Sequence, residues 1–125
     1  MCFPEEACAL LVGTRDVDKD HKVSRVVFAD NIADNKNKFF EVDPSSRISL
    51  ERELRNNKDE IIGVFHSHPD GKAMPSASDE RMIVEKHFIW VIAAIDQLQN
   101  FEIGAFEAQQ AWGFRSIPLI VTKGN

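Results

Sequence analysis

The sequence predicts a mixed α/β fold, and two observations lead to that prediction. Short apolar runs rich in β-branched and aromatic residues recur along the chain, separated by polar segments with Gly, Pro, Asn and Asp. Two of the intervening segments begin with serines that can cap a helix. The length of 125 residues, without a repeat or a linker, indicates a single domain over residues 1–125.

The first half of the chain contains a predicted hairpin and one helix. Residues 7–13 form a continuous apolar run that ends in Gly, which is typical of a buried strand. A polar turn at 16–22 leads into a second strand at 23–28, and 31–38 form an Asn- and Asp-rich loop. Residues 39–42 are expected to be extended, and Ser45 or Ser46 then caps a helix that runs to about residue 56.

The second half alternates strands with one further helix. Residues 60–68 are β-branched and aromatic and stop at a Pro-Asp-Gly turn, so they are predicted to form a strand. The remaining predicted elements are a helix at 76–86, strands at 88–95 and 101–106, and one or two strands within 112–122.

Composition narrows the class of protein. Apolar residues make up 43% of the chain and charged residues 28%, as in soluble globular domains with a real core. The net charge of −5 argues against a nucleic-acid partner. No apolar run approaches the roughly 20 residues that span a bilayer, and the first residues lack the pattern of a signal peptide. With Cys2 and Cys8 expected to be reduced thiols, we expect a cytoplasmic protein that does not bind membranes.

Two histidines end the strand predicted at 60–68. Because side chains alternate along a strand, His66 and His68 are expected to face the same side, as two ligands of one ion must. A catalytic zinc site takes three protein ligands and leaves one position for water. Asp79 follows a Pro- and Gly-containing loop and falls in the first turn of the next predicted helix, which makes it the candidate third ligand. The sequence therefore predicts one zinc ion per chain.

The surrounding residues are similar to a known signature. The segment reads His-Ser-His-Pro at 66–69 and Pro-Ser-Ala-Ser-Asp at 75–79. It resembles the H-S/T-H-P and P-S-x-x-D motif of the JAMM (MPN-plus) zinc metalloproteases. Near the start, residues 4–13 resemble the family's first-strand motif P-x-E-x-C-G-L-L-x-G, with Ala9 in place of the first Gly. Weaker similarities at 40–44 and 61–65 extend the resemblance from Pro4 to about residue 95.

The resemblance implies a fold and roles for two further residues. The fold would be the cytidine-deaminase-like architecture of JAMM proteins, with a curved central sheet and packed helices. The register through Cys8 selects Glu6, not Glu5, as the general base and acid of amide hydrolysis. Ser76 resembles the serine that hydrogen-bonds the oxyanion. A plain helix N-cap is the other interpretation of Ser76, and the two roles are compatible.

Other interpretations of these residues are weaker. The start of H-x-H-x-D-H, typical of metallo-β-lactamase-like hydrolases, is broken by Gly71, and a calcium loop at 16–27 is broken by His21 at its sixth position. His21 and His87 are expected to have no ligand role, and Cys8 is expected to be a packed core thiol.

The substrate is inferred only from the resemblance. The short stretch from 79 to 88 has no room for the insertions that select a polyubiquitin linkage in eukaryotic members. The implied substrate is an amide or isopeptide bond at the C-terminus of a ubiquitin-like or sulfur-carrier protein. The rival functions are a non-catalytic MPN scaffold module and a JAMM hydrolase of a non-protein amide.

The start of the chain departs from the family pattern. Family members generally have a helix before the catalytic Glu, whereas five residues precede Glu6 here. Either the protein begins further upstream or part of the sheet is uncovered. An uncovered apolar face would favour a weak homodimer.

Overall fold

The structure is a computed structural model of the 125-residue chain. It describes residues 7–15, 20–34, 41–68, 72–82, 85, 87–95, 98, 100–109 and 113–120. These ranges contain six strands and two helices: β1 (Cys8–Thr14), β2 (Lys22–Ala29), α1 (Pro44–Glu53), β3 (Glu60–His68), α2 (Ala77–Arg81), β4 (Ile89–Ile95), β5 (Phe101–Gln109) and β6 (Gly113–Ile117).

One mixed sheet organises these elements. The strands lie in the order β2-β1-β3-β4-β5-β6, and every neighbouring pair is antiparallel except β3 and β4. A parallel pair needs a crossover, and α2 lies in the connection between β3 and β4. The predicted mixed α/β class is therefore confirmed.

Both described helices pack on the same side of the sheet, which we call the helix face. Its core is formed by buried side chains of β1, β3, β4 and β5 together with Leu50 of α1, and Met82 at the end of α2 packs against it. The opposite face has a smaller buried cluster built on Leu11, Ile62 and Ile89. Alternation along buried strands explains why neighbours such as Leu10 and Leu11 belong to different clusters.

A β-bulge in β3 decides which side chains reach the helix face. Leu11 pairs with Gly63 and Val12 pairs with Ile61, so Ile62 is the extra residue. Ile62 turns to the opposite face, whereas Ile61 and Val64 both join the helix-face core. Gly63 is required beside the bulge, because a Cβ there would lie 2.2 Å from the carbonyl oxygen of Ile89.

Most predicted strand limits are confirmed, and two helix limits need correction. The cap of α1 is Asp43, not Ser45 or Ser46: its carboxylate accepts the Ser45 N–H at 3.0 Å. Pro44 occupies the first helical position, where its missing N–H costs nothing. The second helix was predicted to extend to 86, but α2 ends at Arg81, and the Met82 N–H bonds to the Asp79 carbonyl in a tight last turn.

Three smaller differences concern the remaining elements. β5 continues three residues beyond the predicted strand, to Gln109. The described part of 112–122 contains one strand, β6. Of the predicted extended piece at 39–42, Val42 forms an isolated bridge with Asn31, while 39 and 40 lie outside the described residues.

The sequence predicted that β1 would have an exposed apolar face, but the exposed apolar side chains lie on its neighbour β2. Cys8 to Val12 are all buried. Beside them on the opposite face, Val26 and Phe28 of β2 are 48% and 70% exposed. Neither helix in the described ranges has the length and apolar character needed to cross a membrane.

Candidate metal centre

Three potential ligands converge where β3 ends and α2 begins. His66 and His68 are two residues apart beyond the bulge, so both imidazoles lie on the helix face, with ring centroids 4.7 Å apart. Asp79 occupies the third position of α2 and faces them. The crossover between two parallel strands thus brings together the three residues that the sequence predicted as ligands.

The spacing of the ligand atoms fits a small tetrahedral ion. Asp79 Oδ2 lies 3.4 Å from His66 Nε2 and 3.6 Å from His68 Nε2. All three ligand atoms lie within 4.8 Å of one another. Zinc bonds of ~2.0–2.1 Å at tetrahedral angles place neighbouring ligand atoms about 3.3–3.4 Å apart. The donor set of two imidazoles and a carboxylate therefore fits zinc with little movement of these side chains.

A backbone carbonyl orients the His68 ring. His68 Nδ1 lies 3.1 Å from the carbonyl oxygen of Lys72, so Nδ1 carries the proton and donates it there. The lone pair of Nε2 is then directed toward Asp79. An imidazole that donates its second N–H in this way is held in one tautomer and is the better metal ligand.

The apolar core orients the His66 ring. His66 is fully buried, and the ring of Trp90 stands perpendicular to it at a centroid distance of 5.9 Å. Cys8 pairs with His66 across β1 and β3, is 1% exposed, and has its Sγ 3.5 Å from the Ala29 carbonyl oxygen. These contacts agree with the prediction that Cys8 is a packed core thiol. His68 is more exposed than His66, so the centre is open on the His68 side.

A capping box holds Asp79 in place. The Ser76 hydroxyl accepts the Asp79 N–H at 3.1 Å, and Asp79 Oδ2 accepts the Ser76 N–H at 2.8 Å. Each residue satisfies a backbone donor that the start of a helix leaves open. Ser76 is thus the N-cap of α2, and the same arrangement fixes the carboxylate that faces the histidines.

The environment of Asp79 favours its charged form. Asp79 is 3% exposed, and burial alone would raise the pKa of its carboxyl. The neighbouring imidazoles of His66 and His68 and the hydrogen bond from the Ser76 N–H outweigh burial and hold the pKa of the Asp79 carboxyl well below its ordinary value. The carboxylate is therefore ionised at neutral pH, as a metal ligand must be.

The two other histidines lie near a different carboxylate. Glu107 of β5 is 8% exposed, and its oxygens lie 2.8 Å from Arg115 Nη2, 3.6 Å from His87 Nδ1 and 3.8 Å from His21 Nε2. Burial would raise the pKa of Glu107, but the bond to Arg115 and the nearby His87 lower it. His21 and His87 thus lie outside the three-residue group.

One predicted site residue lies outside the described residues, and several contacts were not predicted. Glu6 falls in the undescribed stretch 1–6, as do Glu5 and Cys2. The Lys72 carbonyl was missed because a backbone acceptor leaves no mark in the sequence. Trp90 falls in the strand predicted at 88–95, but its contact with His66 depends on the pairing of β3 with β4.

Comparisons with known proteins agree with the fold. The model of a family described as prokaryotic homologues of the JAB domain matches residues 1–111. A solution structure of a protein from Desulfitobacterium hafniense superimposes with a TM-score of 0.81 and 30% identity, covering 98% of this chain and 82% of that one. A solution structure of a Salinibacter ruber protein superimposes with a TM-score of 0.70 and 25% identity, covering 94% of this chain and 78% of that one.

Two relatives carry a functional name. Both are called desampylase, one from Haloferax volcanii and one from Pyrococcus furiosus. The first is 29% identical over 96 residues, 74% of this chain, and the second is 31% identical over 87 residues, 70% of this chain. The matched regions span 65% and 58% of the lengths of these relatives.

Proposed function

Because the chain belongs to the family of prokaryotic homologues of the JAB domain, we propose that it is a zinc-dependent isopeptidase with His66, His68 and Asp79 as its metal ligands. The observation that carries the proposal is the convergence of three ligand atoms within 4.8 Å, from the end of β3 and the start of α2. Two imidazoles and one carboxylate leave a fourth position of a tetrahedral ion for water, as in catalytic zinc sites.

Zinc bound there would lower the pKa of its water towards ~7 and polarise the scissile carbonyl. The remaining chemistry falls to side chains. Glu6 takes a proton from the attacking water as the oxygen of that water bonds to the carbonyl carbon. Glu6 then returns the proton to the leaving nitrogen as the C–N bond breaks, which is general base and then general acid catalysis. The free acid and the free amine account for all the atoms.

The position of Glu6 in the sequence supports this role. Cys8 of β1 pairs directly with His66, so the strand that follows Glu6 begins beside the metal ligands. Glu6 is two residues before Cys8, and Glu5 is three. Side chains alternate along a strand, so one of the two glutamates shares the face of Cys8 and His66 in an extended chain, and that one is Glu6.

Ser76 is proposed to stabilise the oxyanion while it caps α2. Its hydroxyl oxygen accepts the Asp79 N–H, which leaves the hydroxyl hydrogen to donate to a developing oxyanion. The hydroxyl belongs to the residue whose backbone N–H bonds the proposed ligand Asp79, so it lies beside the metal centre.

The proposed substrate is the C-terminus of a ubiquitin-like or sulfur-carrier protein joined to an amine. The desampylase names of the two relatives support a substrate of this kind. No side chain needs to become acylated, since water attacks directly.

The proposal is tested by metal analysis together with hydrolysis of such an adduct by the purified chain. We expect one zinc per chain, loss of hydrolysis after chelation and recovery when zinc is restored. Asp79→Ala should lose both zinc and activity, and the matched control Glu80→Ala, which removes the next carboxylate of the same helix, should keep both. Zinc retained by Asp79→Ala would show that the ligand set is wrong. Bound zinc without hydrolysis of any adduct would favour the scaffold function.

A further inference from the structure

The residue between the two histidines bonds the backbone of the neighbouring strand. The Ser67 hydroxyl accepts the N–H of Ala7 at 2.9 Å, and the Ser67 N–H donates to the Ala7 carbonyl oxygen at 3.0 Å. Ser67 is 8% exposed, so these bonds are shielded from water. Both bonds lie one residue beyond the last regular pair of the two strands, Cys8 with His66.

The hydroxyl therefore takes over a backbone role. In a regular antiparallel ladder, the Ala7 N–H would bond to the Ser67 carbonyl and the two residues would exchange both backbone bonds. Here the Ser67 hydroxyl oxygen accepts the Ala7 N–H in place of the Ser67 carbonyl oxygen. A serine hydroxyl at this point holds the chain just before β1 begins.

The amide fastened in this way belongs to the peptide bond that joins Glu6 to Ala7. A hydrogen bond to this N–H restrains the peptide group, because the atoms of a peptide unit move together. Ser67 cannot be a ligand of the same ion as its neighbours, since alternation directs its side chain away from the face shared by His66 and His68.

We propose that Ser67 is a positioning residue for the general base: its hydroxyl anchors the Glu6–Ala7 peptide and thereby sets the reach of Glu6 to the zinc-bound water. The proposal rests on the proposed function, in which Glu6 is that base. It explains why a small hydroxyl residue between the two histidines serves the site without touching the metal.

The first measurement does not depend on metal or activity. Amide hydrogen exchange at Ala7 is followed by NMR in the full chain for the wild type, Ser67→Ala and Ser67→Thr. Loss of one hydrogen bond should accelerate Ala7 exchange about threefold to tenfold in Ser67→Ala, and Ser67→Thr, which keeps the hydroxyl, should restore the slow rate. Ser24→Ala is the matched control, because it removes a serine hydroxyl near the other end of β1, where the Ser24 Oγ lies 3.2 Å from the Val12 carbonyl oxygen and 2.8 Å from Asp59 Oδ2.

The second measurement divides kcat from KM on the same adduct, with zinc content determined in parallel. Ser67→Ala should keep one zinc and an unchanged KM, while kcat falls roughly tenfold to a hundredfold, as for a misplaced catalytic group. Ser67→Thr should have the kcat of the wild type. Ser24→Ala should behave as wild type. Unchanged Ala7 exchange in Ser67→Ala, or loss of its zinc, would overturn the positioning role. A wild-type chain with neither bound zinc nor hydrolysis would instead overturn the proposed function, and a fully active Glu6→Gln would overturn the role of Glu6 as the base, whatever the exchange data show at Ala7.

Discussion

The two roles of Ser76 can be separated by substitution. Ser76→Ala removes the 3.1 Å bond to the Asp79 N–H but leaves the 2.8 Å bond from the Ser76 N–H to Asp79 Oδ2. Losing the side-chain half of an N-cap costs about 1 kcal/mol. At ~2.1 cal/mol/K per residue, a chain of 125 residues has an unfolding entropy of ~0.26 kcal/mol/K, so Tm should fall by about 4 °C.

Ser76→Gly isolates the catalytic role. Glycine at an N-cap costs only a few tenths of a kcal/mol relative to serine, so Tm should fall by about 1 °C. The hydroxyl donor is nevertheless absent, and kcat should fall about 10²–10³-fold, as for the loss of an oxyanion donor. Ser76→Thr keeps both the cap and the hydroxyl and should restore both properties.

Thermal denaturation, zinc analysis and kcat on the same preparations test this reasoning. Asp43→Ala removes the cap of α1, away from the centre, and should lower Tm with kcat unchanged. If Ser76→Gly keeps kcat within about threefold of wild type, Ser76 is a helix cap alone. If Ser76→Ala loses zinc, the remaining bond is insufficient to hold Asp79.

Three further predictions concern single side chains. Glu6→Gln should keep zinc and lose about 10²–10⁴-fold of the hydrolysis rate, while Glu5→Gln stays active; the reverse pattern in steady-state assays would show that the base is misassigned. His68→Ala should lose zinc by elemental analysis, and His87→Ala should retain it. The pKa of Glu107 is lower in the folded chain than the ~4.3 expected in the unfolded chain, so its charge stabilises the fold at pH values above ~4.3. This stabilisation disappears as the pH falls through the pKa of the folded state. In denaturant titrations, the stability difference between wild type and Glu107→Gln should therefore shrink below about pH 4; a constant difference would contradict it.

The sequence predicted the convergence of His66, His68 and Asp79 better than it predicted the helix limits, and the reason is local. His66 and His68 both follow the bulge, so simple alternation places them together correctly. The same alternation counted from Ile61 would have assigned them to the wrong face, because Ile62 is the inserted residue. The bulge arises from how β1 and β3 pair, and a single strand carries no such information.

The helix errors have a different origin. Asp43, Ser45 and Ser46 are all competent caps, and the choice depends on Pro44, whose fixed geometry suits the first helical position. At the C-terminal end of α2, neither Gly nor Pro occurs in residues 82–87, yet the described helix ends at Arg81. Tertiary context outweighs propensity at such boundaries.

The apolar residues exposed on β2 leave the expected homodimer as a prediction. Val26 and Phe28 occupy an edge strand, on the sheet face that no described helix covers. Such surfaces favour association. A mass above that of the monomer in light scattering, reduced by Phe28→Ser, is the expected result, and a strict monomer at high concentration would count against it.

One oxygen atom, Asp79 Oδ2, both accepts the first amide of the capping box and faces the two imidazoles. If a metal binds there as proposed, folding of a five-residue helix and retention of the metal form a single coupled equilibrium. If the first turn of α2 were formed only one-tenth of the time, the apparent Kd for zinc would rise about tenfold, and a saturating metal would hold that turn closed in return. A binding partner that stabilised or destabilised this turn would thereby change the occupancy of the proposed metal site without contacting any ligand.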